Sequence, residues 1–173
     1  WSGDIPWVSP KDMKTEFIRR TEDYITEDAR KGSSTNIVYK GSILLVVRSG
    51  ILRHTLPVAI ASCDLTLNQD MKALTVNQEF SSTFIYHYLV ANNHKVLRAT
   101  LKAGNTVESL DFNEFGNYLI PHPPIAEQEK IANAVESVAT RIRSKSEQLV
   151  AYKNTKKSLM QDLLTGKVRV KVD

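Results

Sequence analysis

Cys63 is the only cysteine in this 173-residue chain, so no internal disulfide can form, which suits a reducing cytoplasm. Long apolar runs are missing as well. The longest, Ile43 to Val47, falls far short of the roughly 18 residues a membrane-spanning helix needs, and nothing near the start resembles a secretory leader. No membrane partner is expected. Seven glycines, six prolines, 42% hydrophobic and 24% charged residues exclude collagen-like and disordered classes. The first residue is Trp1, not Met, which reads as a fragment or an internally trimmed chain.

Catalytic patterns are missing too. No Gly-x-Ser-x-Gly elbow, Gly-rich phosphate loop or His-Glu-x-x-His pair occurs. His54, His87, His94 and His122 are scattered without ligand-like neighbours, so no metal site is expected. Asp12-x-Lys14 and Asp70-x-Lys72 share the acid-x-Lys pattern of metal-dependent nucleases, but so short a pattern arises by chance. His122-Pro123-Pro124-Ile125 keeps the two prolines of the loop by which amino-methyltransferases hold a target amine, while His and Ile stand where that chemistry needs an amide or acid and an aromatic ring. It reads as a hinge. The chain is expected to be no enzyme and to bind no cofactor itself.

What is present is charge with a pattern. The net charge is +4, yet residues 1–124 carry 13 basic and 13 acidic side chains while residues 125–173 carry 10 and 6. A nucleic-acid site in the first part must therefore be a local patch. Glu16, Glu22, Asp23, Glu27 and Asp28 bunch early and can lie away from it.

Composition shifts at Pro121-His122-Pro123-Pro124. Before it, Ile5–Val8, Ile43–Val47, Val58–Ala61 and Ala73–Val76 read as strands between turn residues. Ser81 or Ser82 caps a helix through about Ala91, with Phe84, Ile85, Tyr88 and Leu89 inward, and Ile25–Lys31 reads as a shorter helix. Residues 33–36 read as loop, and Tyr118–Ile120 as a last strand feeding the hinge. The fold class is α+β: a small mixed α/β globule over 1–120, a Pro-rich hinge at 121–124, a long helix over 125–165 and a tail over 166–173.

That helix has the clearest pattern. Ile131, Val135, Val138, Ile142, Lys145, Leu149, Tyr152, Lys156, Leu159 and Leu163 follow one another at alternating spacings of 4 and 3, a heptad seam on a rod about 60 Å long. It either lies across its own domain or pairs with another helix as a coiled coil, with Lys145 and Lys156 setting register. Gly166 stops it. The tail, Lys167–Val172, alternates basic and apolar residues, as a short exposed strand or a partner contact would.

Several segments together resemble a known family. They are Gly3-Asp4-Ile5-Pro6-Trp7-Val8-Ser9-Pro10-Lys11-Asp12-Met13, Gly41-Ser42-Ile43-Leu44, Arg48-Ser49-Gly50-Ile51-Leu52, Leu67-Asn68-Gln69-Asp70 and Gly104-Asn105-Thr106-Val107. To these add Pro123-Pro124-Ile125-Ala126-Glu127-Gln128-Glu129-Lys130-Ile131-Ala132 and the Leu163-Leu164-Thr165-Gly166-Lys167 ending. In combination they resemble the DNA-specificity subunits of type I restriction-modification systems. The resemblance implies a target-recognition domain followed by a conserved helix, one of the two such units a typical subunit has. The lead-in that normally precedes Ile5-Pro6-Trp7-Val8 is absent, so the sheet is expected to lack a strand or the chain to be trimmed.

The resemblance also implies partners. Double-stranded DNA would be read as one half of a split site. The long helix would pair with that of a second recognition unit, or of a second copy, through Ile131, Val135, Val138, Ile142, Leu149, Tyr152, Leu159 and Leu163. Its length caps the half-site separation at roughly 18 base pairs. A modification subunit would bind S-adenosylmethionine and methylate adenine, and a restriction subunit would cut.

Base edges are read by side chains able to make paired hydrogen bonds, and phosphates by cations and hydroxyls. Position at strand ends and turns selects Lys11, Arg48, Ser49, Arg53, Asn68, Gln69, Lys102 and Asn105 as DNA-binding candidates. A structural ion pair for Arg48, and a turn for Asn68 and Gln69, are the competing readings. Trp1 and Trp7 read as packing residues. The alternative function is an assembly module whose coiled coil scaffolds other proteins without DNA readout.

Overall fold

The computed structural model describes residues 3–102 and 107–171. These fall into two units, one ending at Ala132 and one beginning at Asn133. In the first, Ile-Leu-Leu-Val at Ile43–Val46 (β4) is buried at every position, so this strand must be covered on both faces. It is the third strand of a four-stranded sheet ordered β2-β5-β4-β7, the others being Phe17–Ile18 (β2), Val58–Ala61 (β5) and Met71–Leu74 (β7). Both neighbours of β4 are antiparallel to it, Ile43 facing Ile60 on one side and Leu74 on the other. Only β2 runs parallel, beside β5.

A second, three-stranded sheet has Ile5–Val8 (β1) between Asp23–Ile25 (β3) and Thr66–Leu67 (β6). Gly3 precedes β1 where the chain passes hard against β3. A side-chain carbon there would come within 1.9 Å of the Ile25 carbonyl, so the glycine is a steric requirement.

Helices close the core. Glu27–Lys31 (α1) is capped by Thr26, and Ser82–Ala91 (α2) by Ser81, whose Oγ accepts the Phe84 N–H. Asn93–Thr100 (α3) and Phe112–Gly116 (α4) follow. Ile125–Leu164 (α5) begins in the first unit, where Gln128 and Ala132 are its buried residues.

The α+β reading is borne out, as are β1, β4, β5, α2 and α5. Four local expectations in the first unit are corrected. The strand expected at Ala73–Val76 begins at Met71, because the Asn68 side chain closes a turn on the Asp70 N–H and releases the chain into the ladder two residues sooner. The helix expected from Ile25 begins at Glu27, since Ile25 pairs with Ile5 in β3. On α2 it is Tyr86 that is buried, and Tyr88 only half-buried. Residues 118–120 alternate inward and outward as a strand would, with Leu119 90% exposed, but have no strand to pair with. The Tyr118 N–H bonds the Phe115 carbonyl at 3.2 Å instead, and burial first, with the neighbouring Tyr118 phenol second, pushes the Tyr88 phenol above its ordinary range.

In the second unit α5 continues to Leu164, and the seam residues Val135, Val138, Ile142, Leu149, Tyr152, Leu159 and Leu163 are exposed, as is Ile131 in the first. Gly166 stops the helix at φ 73°, and the Val168 N–H returns to the Asp162 carbonyl at 3.0 Å. The described part of the tail, 167–171, is therefore a turn and irregular chain, not the expected strand.

Candidate nucleic-acid interface

Past the end of β4 the chain changes partners. The Val47 N–H bonds the Asp70 carbonyl at 2.8 Å on one side, while the Val47 carbonyl accepts from Leu110 at 2.9 Å on the other. Next outward, the Lys102 N–H bonds the Ser109 carbonyl at 2.9 Å, and the pairs Arg48–Ser109 and Leu101–Leu110 are bridged in antiparallel fashion. Segments at 47–48, 69–70, 101–102 and 109–110 thus lie side by side as a shelf, fixed by main-chain bonds.

The shelf carries the charge expected of a binding surface. Arg48, Gln69, Lys72 and Lys102 surround an open depression of about 330 Å³, with Ser109 and Phe112 also in its wall. Ser49 and Gly50 line an adjoining depression with Arg48 and Lys102. Asn68, Gln69 and Lys72 line another, facing Ser34, Thr35 and Asn36 of the loop after α1.

Arg48 is held by Asp70, Nε to Oδ1 at 2.6 Å. The bond uses Nε alone, and the remaining guanidinium donors make no hydrogen bond among the described residues. A half-exposed, oriented fork is suited to paired recognition of a base edge or phosphate. Lys102 lies 3.9 Å from Asp111, a loose pair at an exposed position. Gln69 is exposed and forms no hydrogen bond among the described residues.

Other candidates are committed elsewhere. Lys11 bonds Asp23 at 2.7 Å and pairs with Glu22 at 3.2 Å, which raises its pKa, the Asp23 hydrogen bond being the larger cause. Arg53 bonds Glu108 through Nε and holds that carboxyl below its ordinary range, helped by the Glu108 backbone N–H. The Ser49 Oγ accepts from the Ile51 N–H at the start of a short 3-10 turn. Asn68 makes the turn already described. Asn105 and Trp1 lie outside the described residues.

Lys72, just ahead of the strand expected at Ala73–Val76, is not among the candidates drawn from the sequence, and the structure places it within β7. Its Nζ lies 6.0 Å from the Phe112 ring centroid, and among the described residues it makes no ion pair. The signal was the period of two: Met71 is buried and Lys72 exposed on the opposite face.

Residues 1–151 match the family model described as the type I restriction modification DNA specificity domain. The chain belongs to this family. The specificity domain is 40% identical over 148 residues to the type I restriction enzyme EcoR124I/EcoR124II specificity subunit of Escherichia coli, covering 86% of this chain and 37% of that one. Over 151 residues it is 33% identical to the MjaIX specificity subunit of Methanocaldococcus jannaschii, covering 86% of this chain and 34% of the relative. The chain thus spans a little over a third of these relatives' length. A solved HsdS subunit from Thermoanaerobacter tengcongensis shares the fold at TM-score 0.60 and 13% identity, over 92% of this chain and 37% of that one. A chain from work on complex assembly and conformational transition of the type I R-M system shares it at 0.64 and 14%, over 93% and 38%. The resemblance read from the segments above is borne out, and the specificity domain belongs with the specificity, not the catalytic, component of such systems.

Proposed function

We propose that this domain reads one half of a bipartite site in double-stranded DNA for a type I restriction-modification complex. The shelf carrying Arg48, Gln69, Lys72 and Lys102 supplies the contacts, and α5 spaces two recognition domains while docking the methyltransferase subunits. S-adenosylmethionine belongs on the modification subunit and cleavage on the restriction subunit, in the cytoplasm, where no membrane is involved. No helix among the described residues is long and apolar enough to cross one.

The observation that carries the reading is the convergence of an oriented arginine, an exposed glutamine and two lysines on one shelf, inside the residues that match the specificity family. The test is to co-express the chain with its modification subunit in a methylation-free host and map N6-methyladenine. The expected result is a defined motif that appears only with both proteins; a palindromic one supports a dimer of half-subunits. Absence of a motif, with the two proteins stably bound, would overturn DNA reading.

A second reading, assembly without readout, draws on the internal pairing of Lys11, Arg48 and Arg53 and on the exposed seam of α5. Arg48→Ala with Gln69→Ala separates the two. Sequence-specific methylation that survives both changes favours assembly.

A further inference from the structure

The charge of the first 124 residues sums to zero, but it is not evenly spread. No acidic residue occurs between Glu79 and Glu108, a stretch that contains Lys95, Arg98 and Lys102 and leaves the remainder with an excess of three acids. The local positive patch the sequence demands therefore has a definite place. Two of the three cations lie on α3.

That helix is built to present them. Val96, Leu97 and Thr100 are buried, so His94, Lys95, Arg98 and Ala99 form the exposed face. Its first turn is fixed by Asn93, whose Oδ1 accepts from the Leu56 N–H at 2.9 Å and from the Thr55 hydroxyl at 3.0 Å, while its Nδ2 donates to the Leu56 carbonyl at 2.6 Å. His94, Lys95 and Arg98 line an open depression of about 760 Å³ with Thr55 across from them. Among the described residues these three side chains form no ion pair, unlike Lys11, Arg48 and Arg53. Cations without carboxylate partners on a fixed scaffold suit phosphate oxygens.

Two short chain segments join this face to the shelf. From Arg48 and Ser49 the chain runs through the 3-10 turn Gly50–Arg53 to Thr55, and from Arg98 it runs out of α3 into Lys102. Lys95 and Arg98 are about 4.5 Å apart along the helix axis, within the reach of two long side chains to neighbouring phosphates of one strand.

We infer that the exposed face of α3, through Lys95 and Arg98 with His94 beside them, holds phosphates of the DNA backbone next to the half-site, a contact that sets the position of the domain and carries no sequence information. The inference rests on the DNA-reading role proposed above.

The test uses the full chain bound to its modification subunit, titrated with a duplex carrying the mapped motif and with a scrambled duplex, from about 50 to about 200 mM salt. Lys95→Gln with Arg98→Gln is expected to weaken both duplexes alike, on the order of tenfold, and to flatten the slope of log affinity against log salt by about 2. Ala99→Lys, which adds a cation to the same face, is expected to steepen it by about 1. Loss of folding cannot mimic that gain. Unchanged slopes in both variants would overturn the inference. So would a changed methylation motif, which would make the face a base reader, or release of the modification subunit with the slope intact, which would assign it to an acidic protein. A wild-type complex that methylates no defined motif sinks the DNA-reading role and this inference with it, whereas a defined motif with unchanged slopes sinks the inference alone.

Discussion

The side-chain oxygen of Gln128 accepts a hydrogen bond from the backbone N–H of Ser81 at 3.0 Å, across 47 positions of sequence. The same amide donates to the Glu79 carbonyl at 2.9 Å and the Pro123 carbonyl at 2.8 Å. Gln128 is fully buried, so each of these bonds replaces water that cannot reach it. The Gln of the Pro-Pro-x-x-Glu-Gln segment is therefore a three-way tie between the first turns of α5, the hinge and the start of α2. Beside it, His122 of the hinge stacks on Phe80 with ring centroids 4.3 Å apart.

Gln128→Leu keeps the volume and removes all three bonds, leaving the half-buried Ser81 N–H and two carbonyls to find other partners. The expected loss is about 3 kcal/mol of stability, read as a lower urea midpoint of the full chain. A change below about 0.5 kcal/mol would mean that water or local shifts replace the amide.

Glu108 predicts a response to acid. Its carboxyl is held low first by the Arg53 hydrogen bond and then by its own backbone N–H. A depressed folded pKa gives stability that is fully present above the ordinary carboxylate range and is lost as pH falls through the folded value. Glu108→Gln is therefore expected to be less stable than wild type at neutral pH, the two converging well below the ordinary carboxylate range. Urea midpoints along a pH series would check this. A gap independent of pH would contradict it.

Gln69 and Lys72 stand side by side on the shelf but should separate by readout. Gln69→Ala is expected to relax the methylated motif at one position, a paired contact to a base being worth about 1–3 kcal/mol. Lys72→Ala is expected to weaken binding to every duplex and lower the salt slope by about 1 while the motif stays the same. Motif mapping with salt titration distinguishes them, and a motif unmoved by Gln69→Ala removes that residue from base readout.

Leu149 is half-exposed on the seam of α5, so Leu149→Glu is expected to abolish pairing through that helix at little cost to the globule. Sedimentation should show dissociation, or failure to associate, with the melting temperature of the first unit preserved. Pairing that survives the charge would move the interface off the seam.

What could be read in the sequence was whatever one short window determines. The run at β4 announced a strand because its residues are apolar and turn residues bound it, and Ser81 announced α2 because capping is local. The heptads announced α5 for the same reason. Helix α3 went unread, since Asn92-Asn93 looks like the end of structure and becomes the start of a helix only through the bonds of Asn93 to Thr55 and Leu56. Residues 118–120 misled in the opposite direction, showing the period of a strand without a neighbour to pair with. In the site, the strand-end rule found Arg48 and Lys102, but no local rule reveals that Lys11 is taken by Glu22 and Asp23 or Arg53 by Glu108. Those pairings are products of the tertiary fold.

The shelf is joined by main-chain bonds among Val47, Asp70, Lys102, Ser109 and Leu110, while the side chains of Gln69, Lys72 and Lys102 play no part in those bonds. Exchanging exposed residues of this kind usually changes stability by no more than about 0.5 kcal/mol. Under the DNA-reading role proposed above, a lineage carrying this domain would alter what it recognises one side chain at a time without passing through an unfolded ancestor.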